Sequence, residues 1–505
     1  MRPFAILFAL LFVPAPLRAA EFDPKALDEV VEKALKEFHA PGAAVVVVRD
    51  GEVIYLKGFG AREKGKPEPV TPDTVFPIAS CSKAFTATAV AMLADEGKLK
   101  WDDKVRDHLD SFRLSDELAD REVTLRDLLC HRTGMPRHDM LWAGLSADSG
   151  DVIRRWGRAR PSTSFRSTWE YANVPFTTAG VIAGKIDKSD WASVIKARIF
   201  KPLGMDHSSG TGKEGRAGPD HATPHYYGLD KTVAAIKWDE IDHAGGAGCV
   251  NSTARDMGAW LQFQLAGGKF DGKRLLTERS LKETHTSQML VKPEGPFLVY
   301  FPTKATRFTS YGLGWFVHDY RGANCVSHGG TLTGFRAQCM LVPEKKIGVF
   351  VLCNLRPSYV CEAVCKTALD GLLDLPAEDW VGFYKSQLSV LDFTVAAGQK
   401  KRETSRKTGT KPSLALSGYA GGYEESAYGR AEVAAEGESL SIRWGNFTFR
   451  LEHYHYDTFT ATAVEPKDEV VSFDRSTFDV QFRLGTNGEV ESMKFLDQEF
   501  RRAKK

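Results

Sequence analysis

Apolar residues change their spacing repeatedly along this chain, and each change marks an element. Pro24 to Phe38 carries apolar side chains at helical intervals. The run Ala43-Ala44-Val45-Val46-Val47-Val48 then passes through Asp50-Gly51 into Glu52-Val53-Ile54-Tyr55-Leu56, two strands joined by a tight turn. A second hairpin comes much later, where Phe335 to Val342 turns through Pro343-Glu344-Lys345-Lys346 into Ile347 to Leu352. Helical sequence follows it from Tyr359 to Leu373. Between the hairpins lie helices and loops, among them Ala84 to Leu93, which has little polar surface on any side and predicts a buried helix. This order predicts an α/β (α+β) domain: a mainly antiparallel sheet built from both ends, with a helical region inserted between its halves.

Residues 399–413 hold almost no apolar side chain and predict a charged linker, so the segment 376–413 is expected to be a helix followed by that linker. Beyond it, Ala431 to Ala463 and Val470 to Phe495 alternate apolar with polar residues and are punctuated by Gly, Asn and Asp, which predicts a small antiparallel β-barrel over 414–505. His453 and His455, interleaved with Tyr454 and Tyr456, fit one face of a strand there better than a metal site.

Composition changes the picture only at the N-terminus. Forty-three per cent hydrophobic and 26% charged residues in 505 are ordinary globular values. Residues 1–20 combine Arg2, the apolar run Phe4 to Val13 and small residues at Ala19-Ala20, which predicts a secretory signal peptide and a secreted or periplasmic protein, with residues 21–375 as the first folded domain. Of the 67 Lys and Arg residues, Arg2 and Arg18 fall in that segment, so the remainder balances the 65 Asp and Glu. A neutral chain gives no support to nucleic-acid binding. No run reaches membrane-spanning length. The eight cysteines are spread too widely for a small disulfide scaffold and are expected to be mostly buried free thiols. No metal or cofactor is implied, and oligomeric state is left open.

The candidate chemistry begins at Ser80-Cys81-Ser82-Lys83, at the head of the buried helix. Four residues of helix put Lys83 on the face of Ser80, about 5–6 Å away between Cβ atoms. Desolvation there would favour the neutral amine, able to accept a proton from the hydroxyl. Ser193-Val194-Ile195-Lys196 repeats the spacing, but on a polar amphipathic helix where the lysine would be solvated. Tyr171-Ala172-Asn173 is the one Tyr-x-Asn in the chain, and in an extended segment its two side chains would point the same way. His328-Gly329-Gly330 leads into Thr331 within strand-like sequence, where the glycines would let a substrate backbone approach. His243-Ala244-Gly245 offers a second His-x-Gly outside such a context.

In this order Ser-x-x-Lys, Tyr-x-Asn and His-x-Gly resemble the serine β-lactamase and penicillin-binding-protein superfamily, in particular its class C and D-aminopeptidase-like branch. Leu128 to Pro136, Ala244 to Asp256 and His328 to Phe335 are also similar to it, and residues from about 414 resemble the lipocalin-like barrel appended to some of these hydrolases. The resemblance implies that Ser80 is acylated, with Lys83 and Tyr171 sharing the acid and base work. It implies that Asn173, His328, Gly329 and Gly330 bind substrate, and that the backbone N–H groups of Ser80 and Thr331 form the oxyanion hole.

The chain departs from the superfamily's commoner Lys-Thr-Gly at the third motif. A literal Lys407-Thr408-Gly409 lies in the charged segment with no strand around it. A histidine is mostly neutral at pH 7, so strong β-lactam turnover is less expected than cleavage of an amide or peptide bond next to a D-amino acid, and His328 would meet a substrate carboxylate only when protonated. Esterase or β-lactamase activity and a non-hydrolytic penicillin-binding-type protein are the alternatives. Gly-x-Ser-x-Gly and His-Glu-x-x-His, which would point to other hydrolases, are absent from the sequence.

Overall fold

The computed structural model describes residues 22–143, 148–292, 294–465 and 478–504. The segment read as a signal peptide and the stretch from Val470 to residue 477 lie outside them. Helix α1 (Pro24–Phe38) starts on the Asp23 carboxylate, which accepts from the N–H groups of Lys25 and Ala26, with Pro24 at the first helical position. Its stripe Leu27, Val31, Ala34 and Phe38 is buried.

The hairpin β1 (Gly42–Arg49) and β2 (Glu52–Gly60) forms one edge of an eight-stranded antiparallel sheet. The C-terminal part of the same domain supplies β3 (Met289–Leu290), β4 (Thr309–Tyr311), β5 (Phe316–Tyr320), β6 (Ala323–Leu332), β7 (Phe335–Val342) and β8 (Ile347–Cys353). Strand order is β2-β1-β8-β7-β6-β5-β4-β3, so β1 pairs with β8, Val45 opposite Val351, and the two ends of the domain close the sheet as the sequence predicts. Central strands β1, β7 and β8 are buried on both faces, which explains their unbroken apolar runs.

Two cores follow. On one face α1 packs with α5 (Val360–Leu372) and the start of α6 (Trp380–Ser405); on the other lies the inserted helical region with α2 (Ser82–Asp95), α3 (Val174–Ile186) and α4 (Ala254–Leu265). Every residue of α2 from Ser82 to Leu93 is buried. All eight cysteines are unpaired and buried.

The predicted linker is half helix. Helix α6 runs on to Ser405, because its Lys, Arg, Gln and Glu side chains are good helix formers and no proline interrupts them. Only 406–413 is non-helical, and the barrel holds that junction. Arg402 bonds Asp479, and the Arg406 guanidinium donates to the carbonyls of His453 and Tyr454 at 2.8 Å. The last strands, β9 (Gly421–Glu425), β10 (Gly429–Glu436), β11 (Ser439–Trp444), β12 (Phe447–His455), β13 (Thr458–Glu465), β14 (Phe478–Leu484), β15 (Val490–Phe495) and β16 (Gln498–Arg502), close into a barrel. Tyr419, Tyr423, Phe449, Phe459, Phe482 and Phe500 are among the buried aromatic residues of its core. His453 lies in β12 and bonds the Tyr456 carbonyl, and no cluster able to hold a metal ion occurs among the described residues.

Candidate active site

The turn Ala79–Cys81 delivers Ser80 to the head of α2. Ala79 has φ +49°, a left-handed conformation uncommon for a residue with a Cβ. It persists because the turn is held from several sides. The Ile78 N–H donates to the Val250 carbonyl, the Ser82 hydroxyl donates to the Ala79 carbonyl, and the Cys81 thiol donates to the His328 carbonyl at 3.2 Å. Strand β6 touches the same turn through Gly330, where a Cβ would lie 2.0 Å from the Ile78 carbonyl oxygen. Glycine there is a requirement of close approach.

Lys83 is completely buried, and its Nζ has three neighbours: Ser80 Oγ at 3.1 Å, Asn173 Oδ1 at 2.7 Å and the Ala247 carbonyl at 2.8 Å. None is a carboxylate. Burial, and then the positive charge of Arg137, hold the amine well below the usual lysine range. Tyr171 shares a hydrogen bond with Ser80, and its ring lies 5.0 Å from Lys83 Nζ on one side and 5.1 Å from the Arg137 guanidinium on another. Burial raises its phenol above the ordinary value although Arg137 and the Ser80 hydrogen bond oppose this, so the group is protonated at neutral pH.

Asn173 is helical, not extended, and opens α3; the loop before it still turns both Tyr171 and Asn173 toward Lys83. The Asn173 amide donates to Asp139 Oδ1 at 2.9 Å, which fixes Oδ1 of Asn173 toward the lysine. Gly329 and Thr331 line the cavity beside Ser80, and the Thr331 hydroxyl accepts from Arg336.

His328 also borders the cavity but does not behave as the sequence implied. It is 2% exposed, bonded to the Tyr311 hydroxyl at 3.0 Å and to the Gly329 carbonyl at 2.7 Å, and burial pushes its imidazole down to about 3. A ring that is neutral across the physiological range cannot be the charge that meets a carboxylate. The look-alike motifs lie elsewhere. Lys196 is an exposed residue near Glu214, His243 bonds the Trp142 carbonyl, and Lys407 to Gly409 sit in the exposed junction before the barrel.

Sequence reasoning missed Arg137, Asp139, His131, Tyr300 and Arg356. His131 lies under the site, its ring 4.4 Å from Tyr171 and 4.8 Å from Tyr311, and burial keeps it neutral. Its stretch Leu128 to Pro136 was recognisable as similar to the superfamily; Arg137 and Asp139 follow it directly but carry no motif of their own.

Comparison with known proteins bears on the family and the fold. The family model described as Beta-lactamase matches residues 27–372, and one described as Domain of unknown function (DUF3471) matches residues 405–504. Unguisins hydrolase ungD' of Aspergillus campestris is 28% identical over 417 residues, covering 79% of this chain and 76% of that protein. Among solved structures, the octameric penicillin-binding protein homologue from Pyrococcus abyssi superimposes with a TM-score of 0.61 at 22% identity, over 95% of this chain and 99% of the other. The D-amino acid amidase from Ochrobactrum anthropi SV3 gives 0.55 at 22% identity, over 69% and 98%. These two likenesses establish the fold.

Proposed function

Because the chain belongs to the Beta-lactamase family, a family of hydrolase fold, we propose that it is an exported serine hydrolase that forms an acyl-enzyme on Ser80 and cleaves amide or peptide bonds next to D-amino acids. The observation that carries this reading is the set of neighbours around Lys83. A neutral amine has two N–H donors and one lone pair. Two of its three neighbours, Asn173 Oδ1 and the Ala247 carbonyl, can only accept. They take the two N–H groups and leave the lone pair facing the third neighbour, the Ser80 hydroxyl, which can donate.

In the reaction, Ser80 Oγ attacks the substrate carbonyl while its proton passes to Lys83 Nζ. The N–H groups of Ser80 and Thr331 are the donors for the oxyanion. Tyr171, protonated at neutral pH, gives its phenolic proton to the departing amine and recovers one from Lys83. Water then attacks the ester carbonyl with the same groups acting in reverse, which releases the acid and restores Ser80. Amide cleavage beside a D-residue is favoured because an amidase of D-amino acids and a hydrolase of unguisins are among the proteins this chain resembles. Export rests on residues 1–20.

A fluorophosphonate should add its mass to the peptide containing Ser80, and Ser80→Ala should abolish that adduct together with turnover of D-aminoacyl anilides. Labelling at Ser193, or labelling that survives Ser80→Ala, would refute the assignment. Faster turnover of L-aminoacyl anilides or simple esters would refute the substrate preference alone.

A further inference from the structure

Helix α6 is anchored at both ends and bare between them. Its first turns bury Trp380, Val381, Tyr384 and Leu388, and beyond Leu388 it buries no further side chain as far as Ser405. At the far end Arg402 bonds Asp479, and the Tyr454 hydroxyl donates to the Arg402 carbonyl. Between these anchors apolar side chains face solvent. Val390 is 57% exposed, Leu391 37% and Phe393 74%, the highest value among the described large apolar residues.

Val390, Phe393, Ala397, Lys400 and Lys401 follow one another at intervals of three or four residues, so they share one face of the helix, and all are exposed. Lys400 also opens the stretch 400–411, which holds six basic residues and one acid, Glu403. Arg402 is engaged by Asp479, and Arg406 by the carbonyls of His453 and Tyr454. The remaining cations, Lys400, Lys401, Lys407 and Lys411, are exposed and have no carboxylate within ion-pair distance among the described residues. The carboxylate next to Phe393, that of Asp392, bonds Lys231.

An apolar ridge beside an uncompensated basic stretch is the combination that seats a helix at a lipid surface. The ring enters the boundary of the acyl chains while the lysines extend to anionic headgroups. A second copy of the chain does not satisfy this face. An antiparallel mate centred on Phe393 sets Lys400 against Ser386, and a parallel mate sets it against a second Lys400; neither supplies a carboxylate. We propose that this face of α6, with the basic stretch that follows it, docks the protein on a bilayer rich in anionic lipid. The attachment is peripheral, since the ridge lies in the interface and does not cross it. It is a property of the surface and is independent of the chemistry at Ser80.

Co-sedimentation tests this with the chain freed of its predicted signal segment, residues 21–505. It is mixed with vesicles of phosphatidylcholine alone and of phosphatidylcholine and phosphatidylglycerol in equal parts. Binding at low salt should be at least about tenfold stronger to the anionic vesicles. Phe393→Ser, and separately the double change Lys400→Glu with Lys401→Glu, should each weaken that binding by about tenfold. The urea midpoint and fluorophosphonate labelling of Ser80 should match the native protein in both variants, because the changed side chains are exposed. No binding to either vesicle, equal binding to both, or binding that survives either variant would overturn the docking. A dimer that Phe393→Ser dissolves, without vesicle binding, would give the face to a second copy. Binding of polyglutamate in place of vesicles, lost in both variants, would give it to an acidic protein, and the lipid proposal falls in either case.

Discussion

At the residue scale the proposed chemistry depends on a lysine kept neutral. Lys83 loses hydration on burial, faces the Arg137 charge and gains no carboxylate in contact. Its protonated form cannot take the Ser80 proton, so acylation should fall as pH drops through the lowered pKa of Lys83 and be fully present above it. Lys83→Arg preserves charge in a group that does not deprotonate and should slow acylation by about 10²-fold or more, typical of losing a general base. Stopped-flow acylation by a chromogenic substrate from pH 5 to 9 checks both points; near-native acylation in Lys83→Arg would leave Tyr171 as the base. That Ser80, Lys83, Tyr171 and Asn173 come together was legible because short spacings mark them out. Arg137, Asp139 and Arg356 were not, since they come from loops whose approach to the site is set by tertiary packing.

At the element scale, strand β6 and the turn before α2 work as one unit because Gly330 lets them touch. Gly330→Ala would drive a Cβ into the Ile78 carbonyl at 2.0 Å, backbone against backbone, and the strand must move away from Ser80. A destabilisation of about 1–3 kcal/mol, as for other overpacked sites, is expected with a larger loss of acylation. Gly371→Ala, in α5 with open space around it, is the control and should be neutral or stabilising by about 0.5–1 kcal/mol. Urea unfolding of both variants, with acylation measured beside it, would show the turn to be slack if Gly330→Ala matched the native protein. The hairpins and α2 were readable from apolar runs and an Asp-Gly turn. The second half of α6 was not, because an exposed charged helix and a charged linker share one composition and differ only in what holds them, here the contacts of Arg402 with β13 and β14.

At the scale of the whole molecule, the barrel meets the loop beside the candidate active site through Tyr428. Tyr428 packs against Trp444 inside the barrel, and its hydroxyl meets His138 Nδ1 at 2.8 Å. His138 has φ +42° and sits between Arg137, which covers Tyr171, and Asp139, which orients Asn173 toward Lys83. A strained turn that the barrel contacts would transmit that contact to the groups proposed as catalytic. Tyr428→Phe removes the hydroxyl and leaves the ring, so barrel stability should change little. If the lost hydrogen bond, worth about 1 kcal/mol, is felt mainly in the alignment of Arg137 and Asp139, acylation of Ser80 should slow by about fivefold with the midpoint of thermal unfolding nearly unchanged. His138→Ala should produce the same loss, and the double variant no more than either alone, because both remove one interaction. Additive losses would place the two residues on separate paths. Unchanged acylation in Tyr428→Phe would make the barrel a neighbour of the site with no part in arranging it.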